Sequence, residues 1–331
     1  MQIETDLTGS LDHLERLYGA PEFRGVPGAE VSDAGLRLAG SADSPHPARN
    51  GSSAADLESW ALSRLVERSR RFLLVHAAAL GWKGRGVILA GAPFAGKTTL
   101  AVGLVESGLD YYSDDLAPLE RRHGLLHPFR RAAGVRRSGG AREWLPLGAP
   151  DSRQVPLPCQ LGWVFILDAG AQKGKGLGWS VILKEAGSPA ERALRSLPEI
   201  TVVERGAAGS GVRLDMAPAP TGDFAEALRR FVDDWPDEVH YLGPAPRPAS
   251  AAFGEAPVLS PRSRREAALE ILRHTVNRRA RGGLYAQYGE HPHLKAYTEI
   301  FAALVPARCF RLRPGRPEAT VAELRRMIDA G

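Results

Sequence analysis

Residues 87–98 read Val87-Ile88-Leu89-Ala90 followed by Gly91-Ala92-Pro93-Phe94-Ala95-Gly96-Lys97-Thr98. An apolar, strand-like run passes without a break into the pattern G-x-x-x-x-G-K-[ST], and no other stretch narrows the choice of fold as far. Glycine at both ends of the loop lets the backbone curl until successive N–H groups point inward at an anion. The spacing predicts a helix from Thr98 to Ser107, closed by Gly108, whose positive N-terminal end would face the same anion. A lysine at Lys97 then reaches terminal phosphates, and the Thr98 hydroxyl is placed to ligate Mg²⁺. With 36 Gly and six Lys in the chain, composition alone would produce such a match in roughly one chain in 150. The pattern points to a nucleoside triphosphate, ATP or GTP alike, bound with Mg²⁺ by Gly91–Thr98 and the adjoining Thr99.

The flanking sequence supplies the rest of a nucleotide-binding sheet. Phe72-Leu73-Leu74-Val75-His76-Ala77-Ala78 reads as a strand turned by residues 81–86, and Asp110-Tyr111-Tyr112-Ser113 as a strand that ends in Asp114-Asp115. Strand, loop, helix and strand in that order belong to a buried α/β sheet. In a parallel sheet the second strand would end beside the loop, where one carboxylate can hold Mg²⁺ and the other can accept a proton from an attacking hydroxyl. The competing reading is that Asp114 caps a turn and Asp115 is solvated. His76, taken alone in an apolar strand, reads first as a hydrogen-bonded core residue. Arg121-Arg122, Arg130-Arg131, Arg136-Arg137 and Arg142 follow closely. They fit either a solvated loop or a cradle for an acidic peptide or a transferring phosphoryl group.

Length and charge set outer bounds. With 331 residues the chain has material for one large or two modest domains. The net charge of +5 is an arginine effect, since only six of the 43 basic residues are lysine. Aromatic residues are not interleaved with the basic ones as a strand-stacking surface requires, so the sequence argues against nucleic acid as a partner. Two cysteines make no disulfide framework. No apolar run reaches membrane-span length, and the acidic start lacks a secretory pattern. The expectation is a cytoplasmic protein with no membrane partner.

Residues 1–55 form a small N-terminal region, with Leu11, Leu14 and Leu17 at helical spacing, and a helix is expected over about 57–70. Residues 56–145 hold the first part of the nucleotide-binding core. Short strands at 163–167, 179–183, 201–204 and 212–216, with a helix carrying Phe224, Leu228 and Phe231, fill 146–238, an α/β segment that the family resemblance given below implies is inserted or diverged. Residues 239–331 complete the core with a strand at 239–242, helices over 261–278, 293–305 and 317–330, and a strand over 309–313.

Taken together these residues resemble the HPr serine kinase/phosphorylase superfamily, especially its shorter HprK-related bacterial members. The resemblance rests on His76-Ala77-Ala78, Gly84-Arg85-Gly86-Val87-Ile88-Leu89, Gly91–Thr99, Gly108 and Ser113-Asp114-Asp115. The separations, 21 residues from His76 to Lys97 and 17 from Lys97 to Asp114, match the family's. His127-Pro128-Phe129 looks like the family's short strand after the carboxylate pair. Residues 272–277 and 305–312 resemble C-terminal elements. The resemblance is clear over 72–130 and weaker over 1–71 and 239–330.

It implies an HPr kinase/PEP carboxykinase-like P-loop fold and a serine kinase acting on a protein or peptide, including natural-product precursor peptides. By position, Lys97 would bind phosphate, Thr98 with Asp115 would hold Mg²⁺, Asp114 would be the base, and His76 would join the active site. Three features depart from the pattern. The loop carries Ala92-Pro93-Phe94-Ala95, Thr99 replaces the acidic residue of the bifunctional enzymes, and their second signature, an Arg-Gly-Leu-Gly-type stretch, does not occur in the sequence, so phosphorylase activity, HPr itself as substrate and a hexameric homo-oligomer do not follow. A small-molecule kinase and a nucleotide-dependent switch that slowly hydrolyses ATP are the alternatives.

Overall fold

The computed structural model describes residues 69–92, 95–129, 131–136, 142–145, 156–168, 179–208, 211–219, 223–235, 238–244, 256–279 and 292–331, with short pieces at 2–4, 35–37, 62, 65–66 and 147. Leu11, Leu14 and Leu17 lie outside the described residues, and of the helix expected over 57–70 only Leu62, Leu65 and Val66 are described, all helical. The architecture is mixed α/β. It divides into one unit of residues 1–90, 97–166 and 256–331 and a second of 91–96 and 167–255.

In the first unit, β1 (Gln2–Glu4) pairs in parallel with β2 (Gly35–Arg37). The main strands are β3 (Phe72–Val75), β4 (Ala77–Trp82), β5 (Arg85–Gly91), β6 (Asp110–Ser113), β7 (Ala117–Glu120) and β8 (Leu125–Leu126). A hairpin of β9 (Ala133–Arg136) and β10 (Arg142–Leu145) follows, then β11 (Cys159–Leu167). After the second unit's β12 (Trp179–Leu183), β13 (Ile200–Ala208), β14 (Gly211–Pro218) and β15 (Val239–Pro244) come β16 (Val258–Pro261) and β17 (Arg308–Arg313). The helices of this unit are α1 (Lys97–Glu106), α4 (Arg264–Arg273), α5 (Pro292–Ala303) and α6 (Pro317–Asp329).

Nine strands form one sheet in the order β3-β7-β8-β11-β5-β4-β6, with β17 joining β11 and β16 joining β17. Only His76 separates β3 from β4 in the chain, yet β3 stands at one end of that order and β4 beside the other end. The sheet therefore curls, and His76 marks the corner where the chain leaves one set of ladder partners for another.

This arrangement corrects the expected neighbour relation. β6 does not lie beside β5: β4 runs between them, antiparallel to both, so β5 and β6 point the same way while the sheet around them is not a simple parallel one. The cause is the hairpin that joins β4 to β5. Its turn is only Lys83-Gly84, both at positive φ (47° and 74°), the two-residue geometry that suits strand twist, so the strands extend through the stretch expected to turn. Ala77 pairs with Ala90 and Ala79 with Ser113. The C-terminal ends of β5 and β6 thus open at the edge where His76 enters β4.

Both faces of these strands are covered. Ala77, Ala79, Ile88, Ala90 and Tyr112 share a buried cluster with Ala267, Ile271, Ala296 and Ile300 of α4 and α5. The alternate residues Ala78, Leu80, Val87 and Leu89 point to the opposite face and are also fully buried, each large side chain contributing about 1.5–3 kcal/mol by burial. α1 packs on β4 and on α6, where Gly103 lies close to Val321. Ser263-Arg264-Arg265-Glu266 closes a full capping box at the start of α4, which sets its first turn later than apolar spacing alone suggests. His127, Pro128 and Phe129 form no strand; the short strand there is Leu125–Leu126, because Pro128 has no N–H to donate to a ladder.

The second unit contains β12 (Trp179–Leu183), α2 (Pro189–Arg195), β13 (Ile200–Ala208), β14 (Gly211–Pro218), α3 (Phe224–Asp234) and β15 (Val239–Pro244). Its sheet has the order β13-β14-β12-β15 with antiparallel neighbours. Chain order βαββαβ with that strand order is the split βαβ, ferredoxin-like arrangement. Val181, Leu183, Leu214, Leu194 and Phe231 centre its own core. The strand over 239–244, read in sequence as part of the C-terminal portion, pairs with β12 here. Likewise β11 lies in the first unit up to Ile166, inside the segment read as an insertion.

Candidate functional site

The Gly-rich segment joins β5 to α1. Gly91 sits where a side chain would run into the Leu167 backbone and Cβ, at 2.9–3.1 Å, so the position admits little else. Ala95 N–H donates to the Ala92 carbonyl at 3.2 Å, and Gly96 follows at φ +92°, a conformation that L side chains avoid. The segment is therefore a tight turn that delivers Lys97 as the first residue of the helix. Pro93 and Phe94 lie outside the described residues.

Lys97 is 6% exposed. Burial lowers its ammonium from the ordinary value to about 8, while the charges of Asp115 and then Asp114 pull it upward. Thr98, one residue on, donates its hydroxyl to Asp114 Oδ2 at 3.3 Å. Thr99 is exposed in the first turn of α1.

The two adjacent carboxylates stand in different surroundings. Asp114 is 3% exposed: Oδ2 also accepts from the Gly134 N–H at 3.1 Å, and Oδ1 faces the Tyr111 hydroxyl at 3.1 Å. Burial, then the Asp115 charge, raises its pKa, against the pull of Gly134, Tyr111 and Arg131. The Asp115 side chain is 36% exposed, with Oδ1 at 3.1 Å from His76 Nδ1 and Oδ2 at 3.1 Å from Arg131 Nη1. The turn that splays them is tied by Ser113 Oγ, which accepts from the N–H groups of Asp115 and Leu116.

His76 is fixed through its backbone. Its N–H donates to the His274 carbonyl at 2.7 Å, and Val75 bridges Thr275. Fully buried Asn277 accepts from Leu74 N–H at 3.0 Å and donates to the Phe72 carbonyl at 2.7 Å. A side-chain amide and a turn after α4 thus stand in for a missing neighbour strand along β3.

Lys97, Thr98, Asp114, Asp115 and His76 accordingly meet at one end of the curled sheet, in the first unit. Sequence reasoning missed Tyr111, Gly134 and Asn277, and left Arg131 undecided among the paired arginines. Tyr111 lies in β6 and Asp114 just beyond its end at Ser113, three positions on, where continued alternation predicts opposite faces, so no periodic signal could have paired them. Of the other arginines, Arg121 is a structural ion pair with Glu299 at 2.9 Å, and the side chains of Arg130, Arg136, Arg137 and Arg142 lie outside the described residues.

Among the described residues no group of three His, Cys, Asp or Glu side chains is gathered as a metal cage, and no helix is long and apolar enough to cross a membrane. Compared with known protein families and with curated proteins, the chain matches no family model and no curated sequence.

Proposed function

We propose that the chain is a P-loop kinase that transfers the γ-phosphoryl group of ATP to a hydroxyl, and that the acceptor is a serine of a protein or peptide. The observation that carries the transfer is a buried ammonium at Lys97, reached through a tight Gly-rich turn, with two unlike carboxylates and a histidine gathered beside it. A buried lysine whose charge is disfavoured by desolvation has a strong gain to make from polyphosphate. The serine acceptor rests on the resemblance of the motif set to HPr kinase-like enzymes.

The residues fit Mg²⁺ as a nucleotide-borne ion. Mg²⁺ uses one or two protein ligands beside substrate phosphates and water, and the Thr98 hydroxyl with the Asp114 carboxylate, 3.3 Å apart, would hold it. Bound there, the ion would neutralise charge on the β- and γ-phosphates.

Two observations pull the base assignment in opposite directions. The raised pKa of Asp114 favours it as proton acceptor, while Tyr111, Thr98 and the Gly134 N–H already engage both of its oxygens and Asp115 is the more exposed of the two. Reach comes before pKa in choosing a base, so the geometry favours Asp115, backed by His76, as acceptor and Asp114 as the metal-side carboxylate. This reverses the roles drawn from the resemblance. Arg131 fixes Asp115 at its second oxygen. As the hydroxyl oxygen bonds to γ-phosphorus, its proton passes to Asp115 and the leaving oxygen departs with ADP.

The test uses γ-labelled ATP with Mg²⁺ and two acceptor pools, one of serine-containing peptides and one of small metabolites. Label on peptide serine supports the proposal. Label confined to metabolites replaces the acceptor class, and release of inorganic phosphate alone with both pools favours a nucleotide-dependent switch.

A further inference from the structure

Tyr111 sits three residues before Asp114, nearly buried at 4% exposure, and its hydroxyl touches both halves of the carboxylate pair's support. It lies 2.7 Å from the Arg131 carbonyl and 3.1 Å from Asp114 Oδ1. A carbonyl only accepts, so the single phenolic proton serves the Arg131 oxygen and is shared with the carboxylate. Burial, then the charge of Asp114, holds the phenol firmly protonated, so the donor is permanent across the physiological range. The Arg131 residue whose backbone is tied in this way sends its guanidinium to Asp115 Oδ2 at 3.1 Å. Asp114 is left facing Thr98 and the Gly134 N–H.

We propose that Tyr111 is a positioning residue whose hydroxyl sets the two carboxylates apart, drawing Asp114 inward onto Thr98 and Gly134 while anchoring the strap that carries Arg131 to Asp115. The inference rests on the kinase reading for its catalytic consequence, and on geometry alone for its structural one. Removing the hydroxyl leaves the ring, and with it the packing, in place. It removes the hydroxyl's contacts with Asp114 Oδ1 and with the Arg131 carbonyl, so both carboxylates lose one of the contacts that fix their aim.

The substitution is Tyr111→Phe in the full chain, read in two ways. The first needs no activity: backbone amide exchange at Gly134, whose N–H donates to Asp114 Oδ2, followed by NMR against the Leu116 amide, which donates to Ser113 Oγ. Exchange at Gly134 should quicken at least tenfold while Leu116 changes less than twofold. Equal protection of Gly134 in the variant and the parent overturns the proposal, and so does loss of protection at both amides, which would mean general loosening.

The second reading is phosphoryl transfer at varied Mg²⁺. The Mg²⁺ concentration for half-maximal rate should rise at least fivefold and kcat fall at least tenfold, with metal-free nucleotide affinity held within twofold. Unchanged kinetics alongside quickened Gly134 exchange would overturn the catalytic half. Absence of transfer in the parent protein, with Gly134 still responding, would sink the kinase reading and leave the positioning role standing.

Discussion

Lys97 is subject to two opposed forces: desolvation, which favours its neutral form, and the carboxylates of Asp115 and Asp114, which favour its charge. Desolvation wins, lowering the group to about 8 from 10.5. Because the folded-state value lies below the ordinary one, the cost of the charge is fully present below about 8 and is relieved as pH rises from there toward 10.5. Lys97→Met should therefore stabilise the chain at pH 7, by on the order of 3 kcal/mol, while removing nucleotide binding; denaturant melts paired with a binding titration check both. Nucleotide affinity of the parent should hold steady up to pH of about 8 and then decline, since phosphate needs the ammonium form. A flat profile to pH 10 would mean that Lys97 does not bind phosphate. The carboxylates divide in the same spirit. Asp115→Asn should lower transfer by roughly 10²–10⁴-fold with ATP affinity nearly unchanged, whereas Asp114→Asn should show first as a raised Mg²⁺ requirement; the reverse pattern would restore Asp114 as base. Lys97, Thr98 and the Asp pair were legible because motif spacing is a local property of the chain. Tyr111 and Gly134 were not, because their contact with Asp114 depends on a bulge between Ala79 and Leu80 in the β4 pairing and on a hairpin inside an arginine-rich stretch.

Among the elements, β5, α1 and β6 were readable from apolar runs and a glycine stop, and their bounds shifted by at most two residues. What could not be read was partnership. Nothing in Ala77–Trp82 announces that it lies between β5 and β6; that follows from the Lys83-Gly84 turn, whose two-residue length dictates an antiparallel neighbour. The β3 edge is subtler still. Its outer hydrogen bonds go to Asn277, more than 200 residues away, and no sequence rule assigns a lone asparagine to a strand edge. Asn277→Ala leaves a buried N–H at Leu74 without its side-chain acceptor and leaves the Phe72 carbonyl with the longer Ser69 Oγ contact at 3.4 Å, at a cost of about 2 kcal/mol. Thermal melts measure the loss, and the transfer rate should fall with it because His76 is held by the same turn. A variant as stable as the parent would show that water satisfies that edge.

For the molecule as a whole, the sequence conveyed an α/β class and an internal segment of different texture. The structure shifts that segment's bounds, taking β11 out and β15 in, and gives the second unit a topology of its own, with four strands, two helices and a separate core among the described residues. Its strands were individually visible, but their order depends on pairings between residues 179–183 and 239–244 that alternation cannot reveal. Because a split βαβ unit buries its apolar face within itself, residues 167–255 expressed alone should unfold cooperatively with a helix and strand signature by circular dichroism. A featureless, non-cooperative melt would mean that the segment depends on the rest of the chain. The first unit carries all the candidate catalytic side chains, and the claim on which the account turns is that they receive polyphosphate at Lys97. Calorimetric titration of Mg·ATP into the parent chain and into Lys97→Ala tests it most directly. The parent should bind saturably at one to one and the variant at least a hundredfold more weakly. Equal affinity in the two proteins, or no binding to the parent, would contradict it.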